Sequence, residues 1–437
     1  MRVKDFGIYK KIGFFSPGKI RLAQERILRE HLIYCEENSP FYQKLFRKHK
    51  INPRNISMEN LSDLPFTDKA DIEKNNDAFL AASSEQIVDI VLSSGTTGTP
   101  TKIAYTESDL QRLAFNEEKS FRGCGFTPRD VVLLTCTLDR CFVAGLAYFL
   151  GIRAIGATAI RNGLNSLESH AQVIRRMRPS AVVGVPSFLR KLGLFLTQEK
   201  GTFPRGTVSK LVCIGEPLRG QALEPLKVFS DLENIWGAKA YSTYSSSEIV
   251  TTFCECTAQA GGHLHPDLAV VEIVDTKGKP LCAGERGEVV VTPMAVEGMP
   301  LVRFKTGDIS FIIDESCGCG RNTLRLGPIL GRKKQMMKVR GTTIYPQALY
   351  SVLEEIKGIK EYYITVTSEN QLSDAIEVCL AVDSPKCTVE SIQDKLQARL
   401  RVKPRIVIGD EEHLRQQIYN QKFRKPIRFI DKRDCHE

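Results

Sequence analysis

Short apolar runs at residues 87–92, 131–136, 154–160, 181–185 and 211–214 recur along the first half of this chain, with amphipathic stretches between them. A continuous apolar run of that length suits a strand covered on both faces, and each intervening stretch is long enough for a crossover helix. Strand, helix, strand is therefore the repeating unit, and it restricts the chain to the α/β class.

The pattern then changes twice. At 269–275 and 287–292 the apolar period shortens toward two, which predicts an antiparallel or β-barrel-like subdomain. Residues 331–340 turn polar and basic, a linker-like texture, and beyond them a helix candidate at 345–356 and strand candidates at 362–367 and 375–382 make a small α+β unit. A length of 437 residues exceeds what one hydrophobic core usually supports. The expected organisation is a large N-terminal domain of mixed sheets flanked by helices, 1–331, followed by a small mobile C-terminal α+β domain, 332–437. Helical spacing over 21–50 predicts an N-terminal helical cap.

Composition narrows the function classes. With 42% hydrophobic and 26% charged residues the chain is an ordinary globular protein. Its net charge of +10 invites nucleic acid, yet the cations are interspersed with acidic and apolar residues, and a small phosphorylated ligand accounts for them equally well. Residues 141–160 are apolar enough to raise the question of a membrane span, but Arg153 and the glycines Gly145, Gly151 and Gly156 favour a buried helix and strand. An odd 13 cysteines fit a reducing compartment, and residues 1–19 lack the continuous apolar core of a signal peptide. A cytoplasmic monomer or homodimer, with no nucleic-acid partner and no membrane span, is expected.

The strongest chemical signal follows the first apolar run: Ser93, Ser94, Gly95, Thr96, Thr97, Gly98, Thr99, Pro100, Thr101 and Lys102. Backbone N–H groups freed by glycine, hydroxyl donors and one cation suit an oligophosphate. It is not a Walker loop, because Pro100 stands where that spacing requires glycine. A flexible Ser/Thr/Gly linker is the alternative, but a linker seldom follows a buried strand so directly. The segment resembles the phosphate loop of adenylate-forming enzymes, the superfamily of acyl-CoA ligases, luciferases and peptide-synthetase adenylation domains.

Further segments match that superfamily in order. Gly215, Glu216 and Pro217 resemble its turn beside the adenine. Residues 244–248, Tyr-Ser-Ser-Ser-Glu, are similar to its Tyr-Gly-x-x-Glu. The resemblance implies that Tyr244 packs on adenine, that Ser247 lines the nucleotide site, and that Glu248 reaches Mg²⁺ near the α-phosphate; Ser245 replaces the usual glycine. Residues 303–308 are similar to the ribose motif, so Asp308 is implied to accept hydrogen bonds from both ribose hydroxyls. Gly331 and Arg332, with 338–341 after them, resemble the hinge and the loop that follows. They imply Arg332 near ribose and phosphate, Gly341 beside a pantetheine arm, and a hinge near Lys334, where Lys334 and Gln335 replace a frequent Asp. Lys425, three residues before Arg428, is identified as the lysine that completes the adenylation site, with Lys422 as runner-up. A cation between two repelling anions stabilises the transition state more than the separated substrates. Thr96, Glu248 and Lys425 form the implied catalytic set. Segment 39–71 resembles the N-terminus of phenylacetate-CoA ligases in particular.

The resemblance implies ATP- and Mg²⁺-dependent activation of a small carboxylic acid, aryl or related, to its acyl-adenylate, followed by thioester formation with coenzyme A. Two alternatives stand beside it. One passes the acyl or AMP group to a carrier protein or another acceptor; the other is a non-catalytic nucleotide-binding scaffold, which the joint presence of Thr96, Glu248, Asp308 and Lys425 disfavours. The acid pocket is expected from 137–148 and the residues before Tyr244, with Arg140 in a surface salt bridge or facing a second anionic group on the acid.

Finally, Cys254, Cys256, His263 and His265 cluster in sequence, and Cys317 and Cys319 follow. Thiolates with an imidazole are zinc ligands, although C-x-C is tighter than the usual finger spacing and leaves scattered buried cysteines as the alternative. Members of the resembled family carry Cys and His at similar places. The expected set is Cys256, His263, Cys317 and Cys319, holding a structural zinc, since four protein ligands leave no open position.

Overall fold

The computed structural model describes residues 10–93, 101–198, 206–339, 342–370, 373–385, 387–419 and 427–433. Two compact units are present: Met1–Thr306 with Ser310–Ile329, and Gly307–Ile309 with Leu330–Glu437.

The first unit begins with α1 (Pro17–Asn38), α2 (Pro40–His49) and α3 (Lys69–Asn75). The helical cap expected over 21–50 is built from two of these helices, α1 and α2. Pro40 lacks the N–H that would continue the first, and it opens the second instead. Strands β1 (Ile87–Leu92) and β2 (Lys102–Thr106) pair antiparallel. A parallel sheet follows, built from β3 (Val131–Leu134), β4 (Thr158–Arg161), β5 (Ala181–Gly184), β6 (Lys210–Cys213) and β7 (Lys239–Ser246), with β8 (Thr251–Cys254) antiparallel at its edge. The order is β4-β3-β5-β6-β7-β8. Between the strands run α4 (Glu107–Gly123), α5 (Val143–Ile155), α6 (Leu167–Met177), α7 (Pro186–Gln198) and α8 (Lys227–Trp236).

Side-chain alternation gives this sheet two cores. Val132, Leu134, Val183 and Val212 pack with Tyr148 and Ile152 of α5. Leu133, Val182 and Leu211 pack with Leu189, Leu192 and Trp236 of α7 and α8. The apolar run at 154–160 is divided rather than a single strand: Ala154 and Ile155 end α5, Gly156 caps it at φ +85°, and the strand starts at Thr158. Helices α4 and α5 cross so closely that a Cβ on Gly151 would lie 2.2 Å from the Cβ of Glu117. No described helix is long and apolar enough to cross a membrane.

The antiparallel part contains β9 (Gly262–His263), β10 (Ala269–Val274), β11 (Gly287–Pro293), β12 (Phe304–Ser310), β13 (Ile312–Ile313) and β14 (Arg325–Leu326). Strands β10 to β12 lie side by side, and β13, β14 and β9 form a second small sheet. The N-terminal helices share this core: Ile27, Leu28, Leu32, Tyr42 and Phe46 are buried with Val270, Val289, Val291 and Phe304.

In the second unit, Asp308 and Ile309 of β12 pair with β15 (Gly331–Arg332). Strands β16 (Met337–Val339) and β17 (Thr342–Ile344) make a hairpin, so the segment read as linker-like is largely ordered into strand and turn. Then come α9 (Pro346–Glu355), β18 (Ile359–Asn370), β19 (Ser373–Val382), α10 (Val389–Leu400), β20 (Arg405–Ile408), α11 (Glu411–Ile418) and β21 (Phe429–Asp431). The sheet order is β20-β19-β18-β21. Leu349, Val352, Ile392 and Leu396 of α9 and α10 cover one face, and Leu414 and Ile418 of α11 cover the other.

Candidate active site

Parallel strands share one carboxyl edge, and in open α/β sheets that edge is where ligands bind. Three of the expected segments lie along it. After β6 comes Gly215, whose φ of +75° allows the sharp turn, followed by Glu216 and Pro217. The Glu216 carboxylate accepts 2.9 and 2.7 Å hydrogen bonds from the backbone N–H and hydroxyl of Ser187, at the start of α7. Glu216 therefore secures this turn to the neighbouring connection. Tyr244 lies near the end of β7, and the chain turns there through Ser247 and Glu248. The Tyr105 hydroxyl donates a 3.0 Å hydrogen bond to the Ser247 carbonyl, fixing that turn from β2. Glu248 is 9% exposed, with Lys69 Nζ of α3 3.7 Å from its carboxylate.

The base of the phosphate segment reaches the same edge. Leu92 N–H donates to the carbonyl of Cys141, in the loop after β3, and Ser93 N–H donates to Thr101 O. The Ser93 and Thr101 hydroxyls are buried with no partner among the described residues, which fits donors meant for a ligand or for the segment between them. Lys102 Nζ forms a 2.7 Å ion pair with Asp77. Ser94, Gly95, Thr96, Thr97 and Gly98 lie outside the described residues, as do Gly341, Lys422 and Lys425. Arg140 is exposed. Arg140 and Cys141 are consecutive left-handed residues, φ +58° and +51°, a strained turn within the 137–148 segment.

In the second unit Asp308 is 9% exposed, and Arg332 Nε stands 3.5 Å from its carboxylate. The expected hinge at Lys334 is held by Arg433, whose guanidinium donates to the carbonyls of Lys334 and Met336 and to Asp374.

Cys256, His263, Cys317 and Cys319 converge in the first unit, with all four ligand atoms within 4.8 Å of one another. The Sγ atoms of Cys256 and Cys317 are 3.5 Å apart, and Cys319 Sγ is 3.3 Å from His263 Nε2. A tetrahedral zinc with bonds of about 2.3 Å to sulfur sets its ligands about 3.5–3.8 Å apart, so the donor set and spacing fit that ion. Thr323 Oγ1 lies 2.8 Å from His263 Nδ1, which orients the ring and leaves Nε2 facing the thiols. Burial, reinforced by the charges of Arg321 and Arg325, lowers the His263 pKa to about 3, keeping the imidazole neutral as a ligand must be. Burial raises Cys319, but the Arg321 backbone and side-chain hydrogen bonds outweigh it and hold that thiol below its ordinary range. Burial pushes Cys256 up to about 12. Cys254 and His265 point elsewhere, to Cys124 Sγ at 3.4 Å and to Ser120 Oγ at 3.4 Å.

The AMP-binding enzyme family profile matches residues 33–296, and the profile of the AMP-binding enzyme C-terminal domain matches 341–433. The chain is also 31% identical over 378 residues to a phenylacetate-coenzyme A ligase of Thermus thermophilus, covering 84% of this chain and 82% of that one. It belongs to the AMP-binding enzymes, in the phenylacetate-CoA ligase family. The phenylacetate-coenzyme A ligase of Escherichia coli is 26% identical, with 91% of each chain covered. A crystal structure of 2-hydroxyisobutyryl-CoA ligase in the postadenylation state shares the fold, with a TM-score of 0.84 at 21% identity, over 96% of this chain and 91% of that one. In this AMP-binding enzyme, reading the sequence alone missed Tyr105 and the pairing of Lys69 with Glu248. The sequence signal for Lys69 was its place in the 64–69 segment; Tyr105 gave none, because its task is set by tertiary packing.

Proposed function

We infer that this AMP-binding enzyme joins a carboxylic acid, aryl or related, to AMP at the expense of ATP and then passes the acyl group to coenzyme A. The observation that carries the reading is the placement of residues 215–217, Tyr244 and Glu248 on one carboxyl edge of the parallel sheet, in a chain whose two family matches follow in order.

In the first step a carboxylate oxygen attacks the α-phosphorus and the bond to the bridging oxygen of pyrophosphate breaks. Thr96 and its neighbours hold the phosphates, Tyr244 packs on the adenine, Asp308 accepts from the ribose hydroxyls, and Lys425 stands between the two anions. Glu248, held in place by Lys69, is the ligand for Mg²⁺, which neutralises phosphate charge when bound. In the second step the coenzyme A sulfur attacks the acyl carbonyl, AMP leaves and the thiol proton passes to solvent; Gly341 admits the pantetheine arm. Cys256, His263, Cys317 and Cys319 hold a structural zinc. No described cysteine is in a disulfide, which supports a cytoplasmic setting.

AMP formation across a panel of aryl, fatty and amino acids, with and without coenzyme A, tests the reading. Acid-dependent AMP release that accelerates with coenzyme A is expected. Release that requires a carrier protein instead would replace coenzyme A as acceptor, and no acid-dependent ATP consumption would overturn the reading. Lys425→Ala should abolish adenylate formation while leaving ATP affinity within about threefold, because its cation acts chiefly in the transition state.

A further inference from the structure

Between Cys254 and Cys256 stands Glu255, 1% exposed, whose carboxylate meets the segments that follow β6 and form β7. Its Oε1 accepts a 2.5 Å hydrogen bond from Arg219 Nε, in the loop that continues the 215–217 turn. Its Oε2 accepts a 2.8 Å hydrogen bond from the backbone N–H of Ser242, two residues before Tyr244 on β7. Glu255 N–H donates in turn to the Ser242 carbonyl, so this residue holds Ser242 from both sides. Arg219 is itself 9% exposed, and its guanidinium lies 4.6 Å from the centre of the Phe229 ring.

One buried carboxylate thus fastens both adenine-side segments, while the next residue in the chain, Cys256, belongs to the thiol–imidazole cluster. Two bonds from a single rigid side chain leave the turn and the strand little freedom to shift independently. We propose that Glu255 is a positioning residue of the nucleotide site and couples the Cys256 cluster to the segments that receive the adenine. Zinc binding at the cluster fixes the backbone of 254–256, Glu255 transmits that order to Arg219 and Ser242, and nucleotide binding, by reciprocity, tightens the hold on zinc.

The proposal rests on the adenylation reading, and its test separates the two. AMP affinity is measured by titration calorimetry on zinc-loaded protein, and zinc loss to a chelating dye is timed with and without AMP, for the unaltered chain and for Glu255→Gln. In the unaltered chain AMP should bind and slow zinc loss several-fold. In Glu255→Gln, AMP should bind about tenfold more weakly and its effect on zinc loss should vanish. Should Glu255→Gln not fold, Arg219→Lys, which keeps a cation beside Glu255 but loses the guanidinium geometry, carries the same comparison. Equal AMP affinity in the folded variant, or an undiminished effect of AMP on zinc loss, would overturn the proposal. Failure of the unaltered protein to bind AMP would overturn the adenylation reading and this coupling with it.

Discussion

Glu117 occupies the crossing of α4 and α5 as a fully buried carboxyl, hydrogen-bonded by the Thr252 hydroxyl, and burial raises its pKa to about 7. A carboxyl raised in the folded state contributes stability that is complete below the unfolded value of 4.5 and is lost as pH climbs through 7. Glu117→Gln removes that loss. The variant should match the native chain near pH 4 and exceed it by on the order of 3 kcal/mol above pH 8, read from urea unfolding at the two pH values. A pH-independent difference would place the charge elsewhere. His31 has the opposite sign: burial lowers its pKa to about 4, so its contribution is present above 6.5 and fades as pH falls through 4. Neither shift was legible in the sequence, where an acid inside an amphipathic helix reads as a solvated face. The contiguous motifs stand out in the sequence because each concentrates its residues within a few neighbours, as Tyr244 and Glu248 do. The Arg219–Glu255 and Lys69–Glu248 pairs were not, since what joins them is the folded chain.

Among the elements, the parallel strands and crossover helices were foreseeable from apolar runs, and one misjudged boundary sits at a cap, where Gly156 divides an apolar run. The tight packing of α4 on α5 depends on Gly151, whose missing side chain lets Glu117 approach. Gly151→Val should destabilise the first unit by about 1–3 kcal/mol by forcing these helices apart, seen as a lower urea midpoint. An unchanged midpoint would mean the crossing has slack. At the metal cluster, Cys256→Ser should reduce bound zinc from about one ion per chain to a small fraction of that, measured by elemental analysis. Full retention of zinc would assign the ion to other residues.

At the scale of the whole molecule, the chain joins an α/β and antiparallel unit, where residues 215–217, Tyr244 and Glu248 lie, to a small α+β unit carrying Asp308 and Arg332. The change of texture near residue 331 was visible because charge and glycine interrupt the apolar pattern there. The ordered hairpin of β16 and β17 within that stretch was not, being short and polar. What unites these observations is a reaction that begins by joining a carboxylate to the α-phosphorus of ATP. Exchange of labelled pyrophosphate into ATP reads that step directly and needs no acyl acceptor. Exchange should depend on a carboxylic acid, proceed without coenzyme A and disappear in Lys425→Ala. Exchange that ignores the acid, or that survives undiminished in Lys425→Ala, would contradict the adenylation reading.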